Sequence, residues 1–286
     1  MSLRGVAMTT DVTLVDIRRE MAGMDLGLKD KAVIVTGGSK GLGAASARRL
    51  AAEGARLLLT ARDEARISAV ARAIEEETGT TCATVPADLT QADAANVVVT
   101  RAIETLGRVD VLINCAGASQ GGVFWEVPDR VWEDSLALKF MGTLRMMRAV
   151  IPHMRERRSG RIVSIVGNTG RQPNPRMLPG AAANAALLAV TAGLAQEVAA
   201  DGIAVLALNP GPTRTERWTT LIENLAKQSG RTAPEVEEEF LKDIPMNRLG
   251  EPEEVARLVA FLASEAAANM TGTSLTADGG WTKAIA

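Results

Sequence analysis

The chain has 286 residues, of which 47% are hydrophobic, and its formal net charge is −2. This length suits one large α/β domain with a substantial core, and the balanced charge gives no reason to expect nucleic acid or an anionic membrane as a partner. We find no apolar run near the roughly 20 residues that span a bilayer and no signal-peptide pattern, which predicts a cytoplasmic protein. The lone His153 and the distant Cys82 and Cys115 predict neither a metal site nor a disulfide framework.

Residues 1–27 precede the first predicted strand and share none of the pattern that follows. We interpret them as an N-terminal extension, either a weak helix and mobile arm or a disordered segment. Residues 28–286 are predicted to form a single domain for a dinucleotide and a substrate.

Short β-branched or Leu-rich runs alternate with longer Ala-rich segments of helical period, which is typical of a parallel sheet covered on both faces. The pattern predicts a doubly wound Rossmann-type α/β sheet of about seven strands with helices on both faces. The predicted strands are 32–36, 56–60, 82–87, 109–114, 161–166, 203–208 and 273–278.

A glycine-rich loop follows the first strand and opens a helix. Gly37 allows the tight turn, Gly41 lets the backbone approach a pyrophosphate, and Gly43 lets the helix pack on the sheet. The helix N-terminus then faces the phosphates. Ser39, Lys40 and Leu42 lie between these glycines and are predicted to contact the cofactor as well.

The end of the second strand indicates which dinucleotide binds. An acid that grips the ribose hydroxyls is typical of NAD-selective sites, but this position is Ala61, followed by Arg62. Together with Lys40, Arg62 offers cations for the extra phosphate of NADP (NADPH). Asp63 follows Arg62 and is expected to cap the next helix rather than to bind ribose. The alternative for Arg62 is a solvated surface charge.

These segments resemble the short-chain dehydrogenase/reductase family from Thr36 to Gly280. The TGxxxGxG spacing of the glycine loop, the segment NCAG at 114–117, the segment PGPTRT at 210–215 and the C-terminal TGTSLTADGG carry the resemblance. It implies further cofactor contacts from Asp88, Leu89, Asn114, Ala116, Gly117, Pro210, Gly211, Thr213 and Thr215. It also implies a homo-oligomer, a tetramer or at least a dimer, formed by two long helices, near residues 130–157 and 181–200, and by the C-terminal strand.

The four catalytic positions of that family hold other residues in this chain. The resemblance places Gly167 where the family has its serine, Gly180 where it has its tyrosine, Asn184 where it has its lysine, and Lys139 where it has its asparagine. The chain contains no tyrosine at all. General acid catalysis is typically worth about 10²–10⁴ in rate, so we expect little turnover of ordinary ketones. Restoring all four family residues is expected to raise it.

Lysine and asparagine have exchanged positions relative to the family, and we predict that Lys139 and Asn184 face each other near the nicotinamide ribose. Lys139 is the predicted ionisable catalytic group, because desolvation would lower the pKa of its amine. The alternative is a snorkelling or salt-bridged helix residue. Asn168, Arg171 and Arg176 form a loop that either binds an anionic substrate or is merely solvated.

Three functions remain open at this point. The first is an NADP-dependent oxidoreductase with unusual proton delivery, acting on a small carbonyl, alcohol or activated alkene. The second is a catalytically degenerate nucleotide sensor or scaffold. The third is a lyase or isomerase that reuses the pocket. The cations Lys40 and Arg62 favour the first, because a scaffold has no need of them.

Overall fold

The computed structural model describes residues 25–117 and 120–283. Seven strands form one parallel sheet in the order β3-β2-β1-β4-β5-β6-β7. The strands are β1 Ala32–Thr36, β2 Arg56–Ala61, β3 Cys82–Pro86, β4 Val111–Asn114, β5 Gly160–Ile165, β6 Ile203–Pro210 and β7 Ser274–Ala277. The predicted doubly wound sheet is confirmed. Its strand order reverses between β1 and β4, where a crevice opens at the carboxyl ends of the strands.

Helices cover both faces of the sheet because its strands are buried on both sides. The helices are α1 Gly41–Ala52, α2 Glu64–Thr78, α3 Ala94–Leu106, α4 Asp129–Ser135, α5 Thr143–Arg157, α6 Leu178–Val198, α7 Glu216–Ser229, α8 Ala233–Lys242 and α9 Pro252–Ala263. One hydrophobic cluster joins α1, α2 and α9 to one face. A second joins α3, α5 and α6 to the other.

The core begins before the first strand. Leu26 and Leu28 are buried at 7% and 1% exposure, and Leu26 accepts a hydrogen bond from the backbone N–H of Glu265. The last residues of the predicted N-terminal extension therefore pack on the domain. The rest of that prediction, for residues 1–24, lies outside the described residues.

The expectation that no apolar segment reaches membrane-spanning length was wrong. Among the described residues, Leu178–Asp201 is long and apolar enough by length and composition. This segment is α6 with the turn that follows it, and part of it is buried against the sheet. Its apolar character comes largely from alanine, and Ala181, Ala183 and Ala195 are buried.

The α7–α8 hairpin has a small hydrophobic cluster of its own, distinct from the two clusters that flank the sheet. Trp218, Ile222 and Ala226 of α7 pack with Val236 of α8 and with Ile244 and Leu249 beyond it. A β-bridge between Thr213 and Gly250 closes the base of the hairpin. Since only residues 211–215 separate α7 from the end of β6, the first turn of α7 lies at the carboxyl edge of the sheet.

Candidate active site

The glycine loop after β1 is closed so tightly that side chains would collide with it. A Cβ added to Gly43 would lie 2.2 Å from the carbonyl oxygen of Gly37. Gly37 has φ +68° and faces the backbone of Ala116, to which an added Cβ would approach within 3.0 Å. Gly41 has φ +53° and faces the methyl group of Thr215. These glycines keep the N-terminus of α1 open to a pyrophosphate, so the cradle fits a dinucleotide.

The segment after β4 forms the opposite side of the crevice. The hydroxyl of Thr36 accepts hydrogen bonds from the backbone N–H groups of Cys115 and Ala116, at 3.0 and 3.1 Å. Asn114 is buried and its amide donates to the hydroxyl of Ser164 at 3.3 Å. The two loops that end β1 and β4 are thus held together at the point where the strand order reverses.

The remaining predicted cofactor residues line the same edge of the sheet. Asp88 accepts from the backbone N–H and hydroxyl of Thr90, and Leu89 is buried. Gly211 follows Pro210 and touches Asp278, where an added Cβ would be only 2.6 Å from that side chain. The hydroxyl of Thr213 donates to Gly211 at 3.0 Å.

Thr215 is the N-cap residue of α7 at this edge of the sheet. Its hydroxyl caps α7 by accepting from the backbone N–H of Trp218. The same hydroxyl donates to the carbonyl of Thr213 at 3.3 Å. The cap fixes the first turn of α7 against the glycine loop, because the Thr215 methyl group faces Gly41.

The predicted phosphate-binding cations differ in their surroundings. Arg62 is exposed at the carboxyl end of β2, and Asp63 caps α2 by accepting from the N–H of Arg66. Lys40 is exposed and lies 3.6 Å from a carboxylate oxygen of Glu216. Arg66 also bonds to Glu216. The sequence interpretation missed Arg66 and Glu216, although Glu216 directly follows the PGPTRT segment.

Gly167 has a backbone conformation that suits only glycine. It lies just after β5 with φ +114° and ψ 146°, a region that residues with a side chain rarely adopt. An added Cβ would also lie 3.1 Å from Nδ2 of Asn184. A serine hydroxyl therefore cannot be restored here without moving the backbone. Restoring all four family residues can therefore raise the turnover of ketones only if the backbone at Gly167 moves as well.

Gly180 lies in the first turn of α6 and is buried. Neither Gly167 nor Gly180 can donate or accept a proton through a side chain. Lys139 is an ionisable side chain that the structure does bring to the end of β5, where its ammonium bonds to Val166.

Lys139 lies in a π-helical segment, Leu136–Gly142, between α4 and α5. Such wide turns occur inside α-helices mostly as single-turn bulges, frequently at functional sites. The stem of Lys139 passes Gly117 so closely that an added Cβ there would lie 3.1 Å from its Cγ. Its ammonium donates to the carbonyl oxygen of Val166 at 2.7 Å. Gly117 therefore makes room for the lysine beside the segment predicted to line the cofactor.

Asn184 forms hydrogen bonds to the residues that follow Val166 after β5. Its amide donates to the Thr169 hydroxyl at 2.8 Å and lies 3.5 Å from the carbonyl oxygen of Gly167. An added Cβ on Gly170 would come within 2.9 Å of the Asn184 Cβ, so this glycine lets the loop lie on α6. Lys139 and Asn184 thus bind successive carbonyls after β5. Among the described residues, no hydrogen bond joins these two side chains directly.

The electrostatics of this pocket favour a neutral amine. Burial and, to a smaller extent, the guanidinium of Arg217 together lower the pKa of Lys139 to about 7. Burial also raises the pKa of the Cys115 thiol to about 12, against the opposing effect of Lys139 and Arg217. Cys115 is therefore a thiol and not a nucleophile at neutral pH. The sequence interpretation missed Arg217, which directly follows Glu216.

The loop of Asn168, Arg171 and Arg176 does not converge on this pocket. Asn168 donates to Asp278 at 3.3 Å and Arg171 donates to the hydroxyl of Ser274 at 2.9 Å. Both side chains fasten the loop to β7 and the turn after it. Arg176 is exposed. The hypothesis that this loop binds an anionic substrate stays a prediction.

The described residues contain no group of three or more His, Cys, Asp or Glu side chains that could hold a metal ion.

Comparison with known proteins identifies the fold and the crevice. The sequence profile of the family described as short chain dehydrogenase matches residues 31–226. An acetoacetyl-CoA reductase from Rhizobium meliloti is 35% identical over 253 residues, which cover 87% of this chain and 98% of the relative. The chain belongs to the short-chain dehydrogenase family of oxidoreductases.

Two solved structures extend the similarity to three dimensions. L-sorbose reductase from Gluconobacter frateurii, crystallised with NADPH and L-sorbose, has a TM-score of 0.87 and 31% identity and covers 92% of this chain and 100% of its own. A variant of actinorhodin polyketide ketoreductase with NADPH has a TM-score of 0.85 and 30% identity, with coverage of 89% and 98%. Both of these reductases share the fold of this chain, and both were crystallised with NADPH.

Proposed function

We propose that the protein is an NADP(H)-dependent oxidoreductase that reduces an activated carbonyl compound or conjugated alkene, with Lys139 as the proton donor. The observation that carries the proposal is the position of the Lys139 ammonium. It lies 2.7 Å from the Val166 carbonyl, one residue before the glycine that replaces the family's serine, and beside Gly117. The cofactor-binding glycines are preserved together with it.

The preference for NADP(H) is supported by charge. Lys40 and Arg62 lie at the edges of the glycine loop and of β2, where Ala61 offers no acid to the ribose hydroxyls. Arginine and lysine bind phosphate well, arginine in bidentate fashion. The presence of NADPH in the two reductase structures also supports a preference for NADP(H).

Reduction needs a hydride, which the nicotinamide supplies when bound, and a proton, which the chain must supply. The Lys139 ammonium has three N–H donors and uses one on Val166. A second N–H can bind the substrate oxygen and transfer its proton as negative charge develops there. The neutral amine then regains a proton from water. With a pKa of about 7, the amine cycles between these two forms at neutral pH.

The similarity of this chain to the solved reductases favours a carbonyl substrate. Because Gly167 and Gly180 have no side chains to donate a hydrogen bond or a proton, a substrate that needs little acid catalysis is favoured. A carbonyl beside a second electron-withdrawing group stabilises its own developing charge. We therefore expect 2,3-butanedione and 2-cyclohexenone to be reduced faster than cyclohexanone.

The protein is also proposed to form a homo-oligomer through α6. The face of α6 turned away from the sheet is exposed and made of small residues, among them Ala182, Ala185, Ala189 and Gly193. Small side chains let a second helix approach closely.

The direct test combines cofactor titration with a substrate panel. Fluorescence titration is expected to give a lower Kd for NADPH than for NADH, and NADPH oxidation is expected with the two activated compounds. Tight NADPH binding without turnover of any compound would instead favour the nucleotide-sensing homologue, because the cofactor cradle would then be preserved without the chemistry.

A further inference from the structure

One carboxylate joins the glycine loop, α2 and α7. Glu216 is the first residue of α7, and one of its oxygens accepts from Nη2 of Arg66, in the first turn of α2. Its other oxygen lies 3.6 Å from Nζ of Lys40, the residue that precedes α1. Two cations from separate elements therefore share a single anionic partner.

This ion-pair cluster lies beside the proposed cofactor site. Lys40, Arg66 and Glu216 line a groove of about 510 Å³, together with Ser39 and Gly41 of the glycine loop. Thr215, the neighbour of Glu216, faces Gly41 across the loop. A carboxylate in this position uses the same N–H donors that a phosphate group would use.

We propose that Glu216 is an internal competitor of the 2′-phosphate of NADP(H), and that Arg66 is a further ligand of that phosphate. Binding of the phosphate exchanges one anion for another on Lys40 and Arg66 and releases the carboxylate to water. Glu216 thereby sets how strongly the protein prefers NADP(H) to NAD(H). The inference rests on the proposed preference for NADP(H) and adds the residues that limit it.

The charges decide the direction of the exchange. A phosphate monoester carries about −1.5 to −2 near neutral pH, against −1 for the carboxylate, so it is the stronger partner for two cations. The side chains of Lys40, Arg66 and Glu216 are 56%, 41% and 58% exposed. Exposed ion pairs are weak, each worth a factor of about 1.4 to 5. Losing both pairs therefore weakens NADPH binding by roughly two- to 25-fold.

The test is a fluorescence titration of NADPH and NADH with wild type and Glu216→Gln at low ionic strength. We expect the variant to bind NADPH roughly two- to 25-fold more tightly, and NADH within about twofold of wild type, because NADH has no 2′-phosphate to exchange. The gain is expected to shrink in 0.5 M salt, which screens exposed charges, and in an Arg66→Gln background, where one shared cation is missing.

Glu238→Gln is the matched control, since it removes the same charge from an exposed ion pair with Lys242 on α8. It should leave both dissociation constants unchanged. The proposal is overturned if Glu216→Gln matches this control, or if it tightens NADH as much as NADPH. The wild-type ratio of the two constants tests the cofactor preference separately: equal binding in wild type would contradict that preference, while the change in the ratio still tests the competition.

Discussion

The side chain of Lys139 passes Gly117 and ends on the Val166 carbonyl, and this setting links its proton to the stability of the fold. Burial lowers its pKa to about 7 in the folded chain, from 10.5. Between these values the unfolded chain holds a proton that the folded chain has lost, so the stability of the wild type rises with pH across this window. Below pH 7 both states hold the proton, and the folded state bears the full cost of burying it.

We predict that Lys139→Met is more stable than wild type at pH 6–7, and that the difference narrows as the pH rises toward 9.5. The slope approaches about 1.4 kcal/mol per pH unit for one proton. Urea unfolding at several pH values measures it, with Lys227→Met, at an exposed lysine of α7, as the control. A difference that is independent of pH would show that Lys139 keeps its proton in the folded protein.

The backbone conformation of Gly167 leads to a second prediction, which concerns the stability of a single-residue variant. Its φ of +114° is unfavourable for any side chain, so Gly167→Ser is expected to lower the free energy of unfolding by about 1–3 kcal/mol. Gly250→Ser is the control, because an added Cβ there meets its nearest neighbour at an ordinary 3.6 Å. Equal stability of the two variants in urea would mean that the loop after β5 adapts to a serine.

At the scale of elements, the closure of the loop between β1 and α1 should control cofactor binding. In Gly43→Ala the new methyl group would lie 2.2 Å from the Gly37 carbonyl, so the turn must open and displace the N-terminus of α1. We expect at least a tenfold weaker NADPH affinity and a loss of about 1–3 kcal/mol in stability. Gly250→Ala serves as the control in titration and unfolding. Unchanged NADPH affinity would place the cofactor elsewhere.

The strands could be predicted from sequence because buried parallel strands form continuous apolar runs. The first predicted strand, 32–36, coincides with β1. In contrast, β4 begins at Val111, two residues later than predicted, and β6 continues to Pro210, two residues beyond its predicted end. Pairing with neighbouring strands decides these ends, as Pro210 aligns with Ala277 of β7. Local sequence does not contain that information.

Only those site residues whose roles are local in the sequence could be predicted. Gly37 and Gly43 could be found because their roles are local to one turn. The bond of Arg66 to Glu216 joins residues 150 positions apart, and only the fold brings them together. The π-helical segment around Lys139 gave no signal in the residue pattern, and the positive φ of Gly167 was equally unpredictable because glycine adopts either sign of φ.

At the scale of the whole molecule, α6 presents an exposed face that contains the small residues Ala182, Ala185, Ala189 and Gly193. We predict that light scattering at micromolar concentration reports a dimer or tetramer, and that Ala189→Glu lowers the mass by placing charges between facing helices. Val97→Glu on α3, at a residue that is 57% exposed, is the control. A monomeric wild type would contradict the proposed assembly.

The role of Lys139 as proton donor is tested most directly by the pH dependence of NADPH oxidation with 2,3-butanedione, compared between wild type and Lys139→Met. Because the ammonium supplies the proton, kcat/KM of the wild type should fall as the pH rises above about 7. Lys139→Met should lose about 10²-fold or more in kcat while its Kd for NADPH stays within a few-fold of wild type. A variant that turns over at the wild-type rate with the same pH profile would contradict the assignment of Lys139 as the proton donor.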